Sequence, residues 1–341
     1  MTVRANKPAF NIRERLSELE RPIGIKGNEV LRTKTVEDAF DVLGCGRKNF
    51  IINGAMEIWQ RGTSFSNISN GDYTADRFFN QKTGTTNVER VSITDTEMLE
   101  YGFRYAMRQT AVAASQIKPL QIIEKHPLFV AGNKFTFSFW ARSNSPADYQ
   151  FLHYDGSSTF NSKTVNIETE WKRYVIPLTL TTTPSSYLRI HLARTRNAGD
   201  WLETTGWQYE QGSVATPFEH RFHGEELALC HRYFWQPVTS QFTATSAATW
   251  GAMGIAYSAN TYYIPVQFPS AMRIPPSVGG DGTWRTRRNN INSFTPSFGL
   301  HGNGNVNGCT LALSGGSIGA AEPFWFEAHS TDANLFFNAE Y

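Results

Sequence analysis

An alternation of large apolar and small polar side chains in the run KFTFSFW constrains the fold more than any other feature of this sequence. It places Phe135, Phe137 and Phe139 on one face of an extended chain, and a period of two is typical of a strand with one face in a core. Two further strands are predicted at residues 170–178 and 187–193. Several short strands separated by turn residues predict a β-sandwich or jelly roll.

Composition excludes several classes of protein. The 341 residues include 32 Lys and Arg against 30 Asp and Glu, and only 18% of residues are charged. A general nucleic-acid-binding protein would carry a basic surface, so no nucleic-acid partner is expected. The sequence has neither an 18-residue apolar run nor the apolar segment of a secretory signal, so membrane insertion and secretion are not expected. Aromatic residues at 13% exclude a disordered chain.

The three cysteines are odd in number and far apart, at Cys45, Cys230 and Cys309. No C-x-x-C pair is present, so neither a disulfide framework nor a zinc ribbon is predicted. This usage favours folding in a reducing cytoplasm.

The first 46 residues have a charged, helical pattern. A helix predicted to begin at Asn11 carries four apolar residues at spacings of four, three and four, which is the pattern of a short coiled-coil seam. Pro22 limits its length, and a helix this short is unstable alone in water, so it must pack against other copies or another protein. The seam consists of Ile12, Leu16, Leu19 and Ile23.

We therefore predict a mainly β protein in three regions. Residues 1–46 form an N-terminal helical anchor and assembly segment. Residues 47–235 form a jelly-roll domain that ends in a short helix at 224–235. Residues 236–341 form a smaller β-sandwich domain, rich in Gly and Asn.

No motif makes a positive case for catalysis. The glycine-rich loop at 302–308 lacks the Gly-Lys-Ser/Thr ending of a phosphate loop. His220 and His223 precede a predicted helix with an acidic first turn, so solvated loop histidines are favoured over a metal site. Carboxylates such as Asp155 and Glu168 fit ordinary positions at strand ends. We expect no catalytic residue, no metal and no cofactor.

Aromatic residues are the better candidates for ligand contact. Sugar rings stack on flat aromatic side chains, and glycan sites combine such stacking with amide and carboxylate hydrogen bonds. Trp201 follows Asp200 and Tyr154 precedes Asp155, both in predicted loops. Because most tryptophans of a β-sandwich belong to its core, only Trp201 and Tyr154 are proposed as glycan-binding residues.

Several segments resemble bacteriophage tail fibre proteins. RKNFIINGAMEIWQRG at 47–62 and YTADRFF at 73–79 resemble the opening strands of a jelly-roll domain of these proteins, and WQYEQGSVATPFEHRFHGEELALCHRY at 207–233 resembles its end. The opening residues 1–29 are similar to N-terminal segments of marine-phage tail fibres. The last domain, with VQFPSAMRIPPSV at 266–278 and the closing FFNAEY at 336–341, is similar to small β-domains at fibre tips.

The resemblance implies a homotrimeric virion protein, synthesised in the host cytoplasm, that attaches the phage tail to host-cell surface glycans. Its jelly roll would be similar to carbohydrate-binding modules, and residues 1–46 would dock on other tail proteins. The family supplies no catalytic residues and no matching calcium ligands. Two alternatives remain: a purely structural tail, collar or decoration protein, and a polysaccharide-degrading tailspike, whose repeating β-helix pattern the sequence lacks.

Overall fold

The computed structural model divides the chain into two compact units, residues 1–48 and residues 49–341. The four residues of the predicted seam, Ile12, Leu16, Leu19 and Ile23, lie outside the described residues. No helix in the described part of the chain is long and apolar enough to cross a membrane. The structure describes residues 48–154, 159–238, 251–287, 291–294, 296–302, 304–315, 323–328 and 333–341.

Up to Tyr233, the described residues form antiparallel strands with two short helices, which we call the first β-part. Helix α1 spans Thr96–Glu100 and helix α2 spans His223–His231. The strands are β1 (Ser64–Phe65), β2 (Phe78–Thr83), β3 (Thr86–Ser92), β4 (Tyr105–Ala111), β5 (Ser115–Glu124), β6 (Lys134–Ser143), β7 (Ala147–Tyr154), β8 (Thr159–Ile167), β9 (Lys172–Thr179), β10 (Tyr187–Arg196) and β11 (Trp201–Gln211).

These strands form two sheets packed face to face. The six-stranded sheet has the order β1-β3-β4-β11-β6-β9, and the five-stranded sheet has the order β2-β5-β10-β7-β8. Phe137 of one sheet stacks on Phe151 of the other, with ring centroids 5.3 Å apart. Trp207 lies between the sheets, 5.2 Å from the ring of Phe78 and 5.1 Å from that of Phe137. The alternation predicted from sequence therefore forms the core of a β-sandwich.

The remaining described residues form a second β-part, with a three-stranded sheet, β12-β21-β15, and a seven-stranded sheet, β17-β16-β20-β13-β14-β19-β18. Its core includes Trp284 stacked on Phe326 at 4.7 Å. The mainly β fold class with sandwich-like domains and few short helices is confirmed. The strands are β12 (Phe234–Val238), β13 (Gly251–Ser258), β14 (Thr261–Gln267), β15 (Ser277–Asp281), β16 (Trp284–Arg287), β17 (Ile291–Phe294), β18 (Ser297–Leu300), β19 (Gly308–Ser314), β20 (Pro323–Ala328) and β21 (Asn334–Asn338).

The helix predicted at 224–235 is shorter than the sequence pattern indicates. Helix α2 ends at His231, and Trp235 lies in strand β12, where its Cα pairs with that of Phe337. The two rings stack at 5.4 Å. This partner lies about a hundred residues downstream, so local sequence gives no sign that the segment after the helix is a strand.

A buried cluster of charges joins the two β-parts. The Arg77 guanidinium is 1% exposed; it donates to the Glu340 carboxylate and, at 2.6 Å, to the Ile122 carbonyl oxygen. It also lies 3.4 Å from the centre of the Tyr233 ring. Arg61 reaches the same Glu340 carboxylate at 3.3 Å. Because a buried charge must be paired, Glu340 fixes residues of the second β-part against the first.

Gly206 occupies an irregularity of strand β11 that other residues fit poorly. Its φ is +63°, and the ladder with β6 shifts register between Thr205 and Gln208. A Cβ at this position would lie 2.8 Å from ring carbons of Phe103 and Trp140. The bulge therefore requires glycine both for its backbone conformation and for the packing above it.

Candidate functional site

The outer face of the five-stranded sheet carries a groove lined mainly by polar side chains. Four neighbouring strands contribute to it: β5, β10, β7 and β8. Its volume is about 480 Å³. We call it the polar groove, and its lining consists of Gln116, Asp148, Gln150, Thr164, Ala193, Arg194 and Thr195.

Strand alternation positions these residues. In β7, Tyr149 and Phe151 point into the core, whereas Asp148 and Gln150 are exposed on the outer face. The ladder then places Thr164 directly opposite Gln150. Directly opposed residues have Cβ atoms about 5 Å apart on the same face, so the groove presents polar groups side by side.

The amide groups of the groove are available to a ligand. Among the described residues, neither the Gln116 nor the Gln150 side chain makes a hydrogen bond; Gln116 donates only from its backbone N–H to the Thr83 hydroxyl, at 3.2 Å. The Asp148 carboxylate accepts one bond, from the Asn166 side-chain amide at 2.8 Å. Each amide can both donate and accept a hydrogen bond, so these groups can bind a ligand hydroxyl that acts either as a donor or as an acceptor.

Farther along the same face, Tyr154 is the last residue of β7. Its ring lies 5.4 Å from the guanidinium carbon of Arg189 and 6.4 Å from the ring of His191. His191 is 7% exposed, and neither of its ring nitrogens has a hydrogen-bond partner in the described part of the chain. Burial, together with the charges of Arg189 and Lys118, lowers the pKa of His191 to about 4. The histidine is therefore uncharged at neutral pH.

Trp201, the other predicted glycan residue, lies on the opposite side of the sandwich. It is the first residue of β11 rather than part of a loop. Its ring centre is 5.0 Å from the Arg108 guanidinium carbon and 5.9 Å from that of Arg142. Both arginines donate from Nε to the buried Glu203 carboxylate, at 2.8 and 2.7 Å. Trp201 thus belongs to an aromatic and charged patch on the outer face of the six-stranded sheet.

The structure does not bring the two predicted residues together. Trp201 and Tyr154 are half-buried and lie on opposite outer faces, so one ligand cannot contact both. Sequence reasoning missed the residues of the polar groove. Alternating exposed residues in the segment ADYQFLHY could have indicated Asp148 and Gln150, but Gln116 joins them only through the strand order.

The two histidines considered as metal ligands, His220 and His223, have different partners. The His220 imidazole Nε2 donates to the Tyr101 carbonyl oxygen at 2.7 Å, whereas His223 Nδ1 lies 3.9 Å from a Glu57 oxygen. Glu226 accepts the Asn53 backbone N–H at 2.6 Å, and burial raises the pKa of its carboxyl group. Within the described residues, no three His, Cys, Asp or Glu side chains are arranged to hold a metal ion.

The solved structures that this chain resembles include carbohydrate-binding modules and a phage tailspike domain, all at a distance. The module TmCBM61, in complex with β-1,4-galactotriose, is 15% identical over 49% of this chain and 100% of its own, with a TM-score of 0.33. A family 11 carbohydrate-binding module of Clostridium thermocellum is 10% identical over 46% of this chain and 98% of its own, with a TM-score of 0.28. The enzymatically active domain of bacteriophage CBA120 tailspike protein 4 is 15% identical over 43% of this chain and 21% of that one, with a TM-score of 0.33.

No protein-family model matches the sequence, and no curated protein matches it. Structural similarity at this level assigns neither a ligand nor an activity to the chain.

Proposed function

We propose that the protein binds carbohydrate through the polar groove. One observation carries the proposal: four adjacent strands place amide, hydroxyl and carboxylate groups on one face, and the amides of Gln116 and Gln150 have no partner among the described residues. Sugar hydroxyls both donate and accept hydrogen bonds, so a row of groups that do the same is complementary to them.

Tyr154 extends this surface. It follows Gln150 by four residues on the same face of β7, which corresponds to about 13 Å along the strand. A ligand that contacts both residues is therefore an oligosaccharide rather than a single sugar, with hydrogen bonds at the groove and ring stacking at Tyr154.

The patch around Trp201 is a weaker candidate for the same role. Arg108 and Arg142 are already bonded to Glu203, and their guanidinium groups lie against the Trp201 ring. These side chains satisfy one another without a ligand, and such cation–π contacts are common in structural networks.

In the particle, the proposed role is that of a tail fibre that attaches the virion to host-cell glycans. The resemblance of residues 47–79 and 207–233 to tail fibre proteins supports this role. The protein would assemble as a homotrimer through the seam at Ile12, Leu16, Leu19 and Ile23, and residues 1–46 would dock on other tail proteins. Weak individual sites would gain strength from three copies, and the protein would act by binding, without catalysis.

A glycan array tests the binding proposal with full-length protein. Gln150→Ala removes one or two hydrogen bonds of about 0.5–1.5 kcal/mol each, so binding should weaken roughly three- to tenfold or more. Because Gln150 is exposed, stability should change by less than about 0.5 kcal/mol. Gln211→Ala, an equally exposed glutamine at the end of β11, is the matched control.

The outcomes separate the possible roles. Glycan binding that both variants retain would overturn the groove assignment. Absence of binding to every host glycan, with the protein located in the tail by immunogold microscopy, would favour a purely structural role. Release of reducing ends from host polysaccharide would identify a tailspike enzyme instead.

A further inference from the structure

A second cavity, of about 390 Å³, lies where the two β-parts meet. Phe65 and Tyr73 of the first β-part line it together with Gln236, Asn334 and Phe336 of the second. It shares no lining residue with the polar groove. Ligand sites are typically concave and roughly 300–1,000 Å³, so this junction pocket is large enough for one small molecule.

The polar groups of the junction pocket are held in place but keep free hydrogen-bonding capacity. Gln236 Nε2 donates to Asn334 Oδ1 at 2.7 Å, which leaves the Gln236 oxygen as an acceptor and the Asn334 nitrogen as a donor. Asp72 Oδ2 accepts the Ser69 N–H at 2.6 Å, which leaves Oδ1 available. The described residues supply no other partner for these atoms, so acceptors and donors lie together around one space.

Aromatic rings form the rest of the wall. Phe336 stacks on Phe234 with centroids 5.7 Å apart. Phe65 and Tyr73 are only partly buried, so their rings are accessible to a ligand in the pocket. Flat apolar rings next to amide groups match the two kinds of surface that a sugar ring presents, its C–H face and its hydroxyl edge.

The charges of the pocket select against acidic ligands. Arg61 is the cation of the lining, and it is already neutralised by Glu340 at 3.3 Å and Asp76 at 3.6 Å. Its guanidinium also lies 3.5 Å from the centre of the Phe234 ring. The exposed Asp72 carboxylate adds a negative charge at the rim. Because Glu340 and Asp76 already balance the charge of Arg61, a ligand carboxylate or phosphate would add an excess negative charge to the pocket.

We propose that the junction pocket is a second saccharide site, which takes the terminal one or two residues of a neutral saccharide. The limited volume excludes a long chain, the rings and amides fit a sugar ring, and the paired charges exclude uronic and sialic acids. Because residues of both β-parts hold the ligand, its binding should also stabilise their association.

Ligand-observed NMR and calorimetry on the full-length protein test the site, with galactose, glucose, N-acetylglucosamine and lactose as probes and galacturonic acid as the charged control. The double variant Gln236→Ala, Asn334→Ala removes both partners of one hydrogen bond, which leaves no unsatisfied partner. It should weaken binding of the neutral probe at least about tenfold. Asp72→Asn, whose side-chain oxygen can still accept the Ser69 N–H, is a milder second variant that should also weaken binding.

The results of these binding measurements distinguish the junction pocket from the polar groove. Binding of a neutral probe that Gln150→Ala leaves unchanged and that both pocket variants weaken supports the junction pocket. Binding that Gln150→Ala abolishes and the pocket variants retain overturns it and leaves the polar groove standing. Failure of every neutral probe to bind, or preferential binding of galacturonic acid, also overturns it. Should the double variant fail to fold, Asp72→Asn alone decides.

Discussion

Replacing Glu340 by glutamine should strongly destabilise the unit at 49–341. The substitution keeps the side-chain shape but leaves the Arg77 guanidinium, 1% exposed, without its carboxylate. Breaking a buried ion pair by removing one partner costs about 3–5 kcal/mol. Arg77 keeps its bond to the Ile122 carbonyl and its contact with the Tyr233 ring, and a desolvated cation–π contact contributes about 2 kcal/mol. We therefore expect a loss near the lower limit, about 3 kcal/mol.

Equilibrium unfolding in urea, followed by tryptophan fluorescence, measures this loss. With a denaturant dependence of about 3 kcal/mol per molar, the midpoint should fall by about 1 M. Glu168→Gln is the matched control, because its partner Lys172 and Glu168 itself are about half exposed. An exposed pair of this kind contributes only about 0.2–1 kcal/mol.

A double variant tests the reason for the loss. Arg77→Met combined with Glu340→Gln buries no unpaired charge, so it should recover most of the stability that Glu340→Gln loses. The reasoning is refuted if Glu340→Gln loses less than about 1 kcal/mol, or if the double variant is less stable than the single one.

Three further predictions concern other parts of the chain. The folded-state pKa of His191 is lowered from 6.5 to about 4, so on acidification the unfolded chain takes up the proton first, and the free energy of unfolding should fall by up to about 3 kcal/mol between pH 6.5 and pH 4. Unfolding of His191→Leu, measured over the same pH range, should lack this contribution to the pH dependence. Gly206→Ala should cost about 2 kcal/mol or more in thermal unfolding, because strain and a clash add, whereas Gly199→Ala, with φ +87° and no atom within 4 Å, should cost about 1 kcal/mol. Deleting residues 1–46, or introducing Leu16→Asp, should abolish trimers in light scattering but leave the unfolding transition of the β-parts intact; a trimer that persists contradicts the seam.

The sequence predicts those features of the fold that depend on local alternation. Phe135, Phe137 and Phe139 lie in the core as expected, because a half-buried strand imposes a period of two on its own sequence. Trp235 was predicted in a helix and lies in a strand, because its partner Phe337 is remote in the chain. Burial against a distant partner overrides local helix preference.

The candidate site could be predicted even less completely. The polar groove combines Gln116, Asp148, Thr164 and Thr195, which become neighbours only through the strand order β5-β10-β7-β8. A single sequence shows that each residue is polar and lies in a strand, but not which strands are adjacent. Trp201 and Tyr154 are predicted from their aromatic rings, and a single sequence does not show that they lie on opposite faces of the sandwich.

The pairing of Arg77 with Glu340 also affects how the protein is made. The two residues are 263 positions apart, and ribosomes add about 5–20 residues per second, so Arg77 emerges roughly 13 to 50 seconds before its carboxylate partner. By the end of that interval every strand of the first β-part has been synthesised, yet the buried Arg77 guanidinium at its boundary with the second β-part still lacks the Glu340 carboxylate. A chain cut short before Glu340 would keep this defect permanently and would be open to proteolysis. Protease resistance of the first β-part should therefore increase once Glu340 has been synthesised.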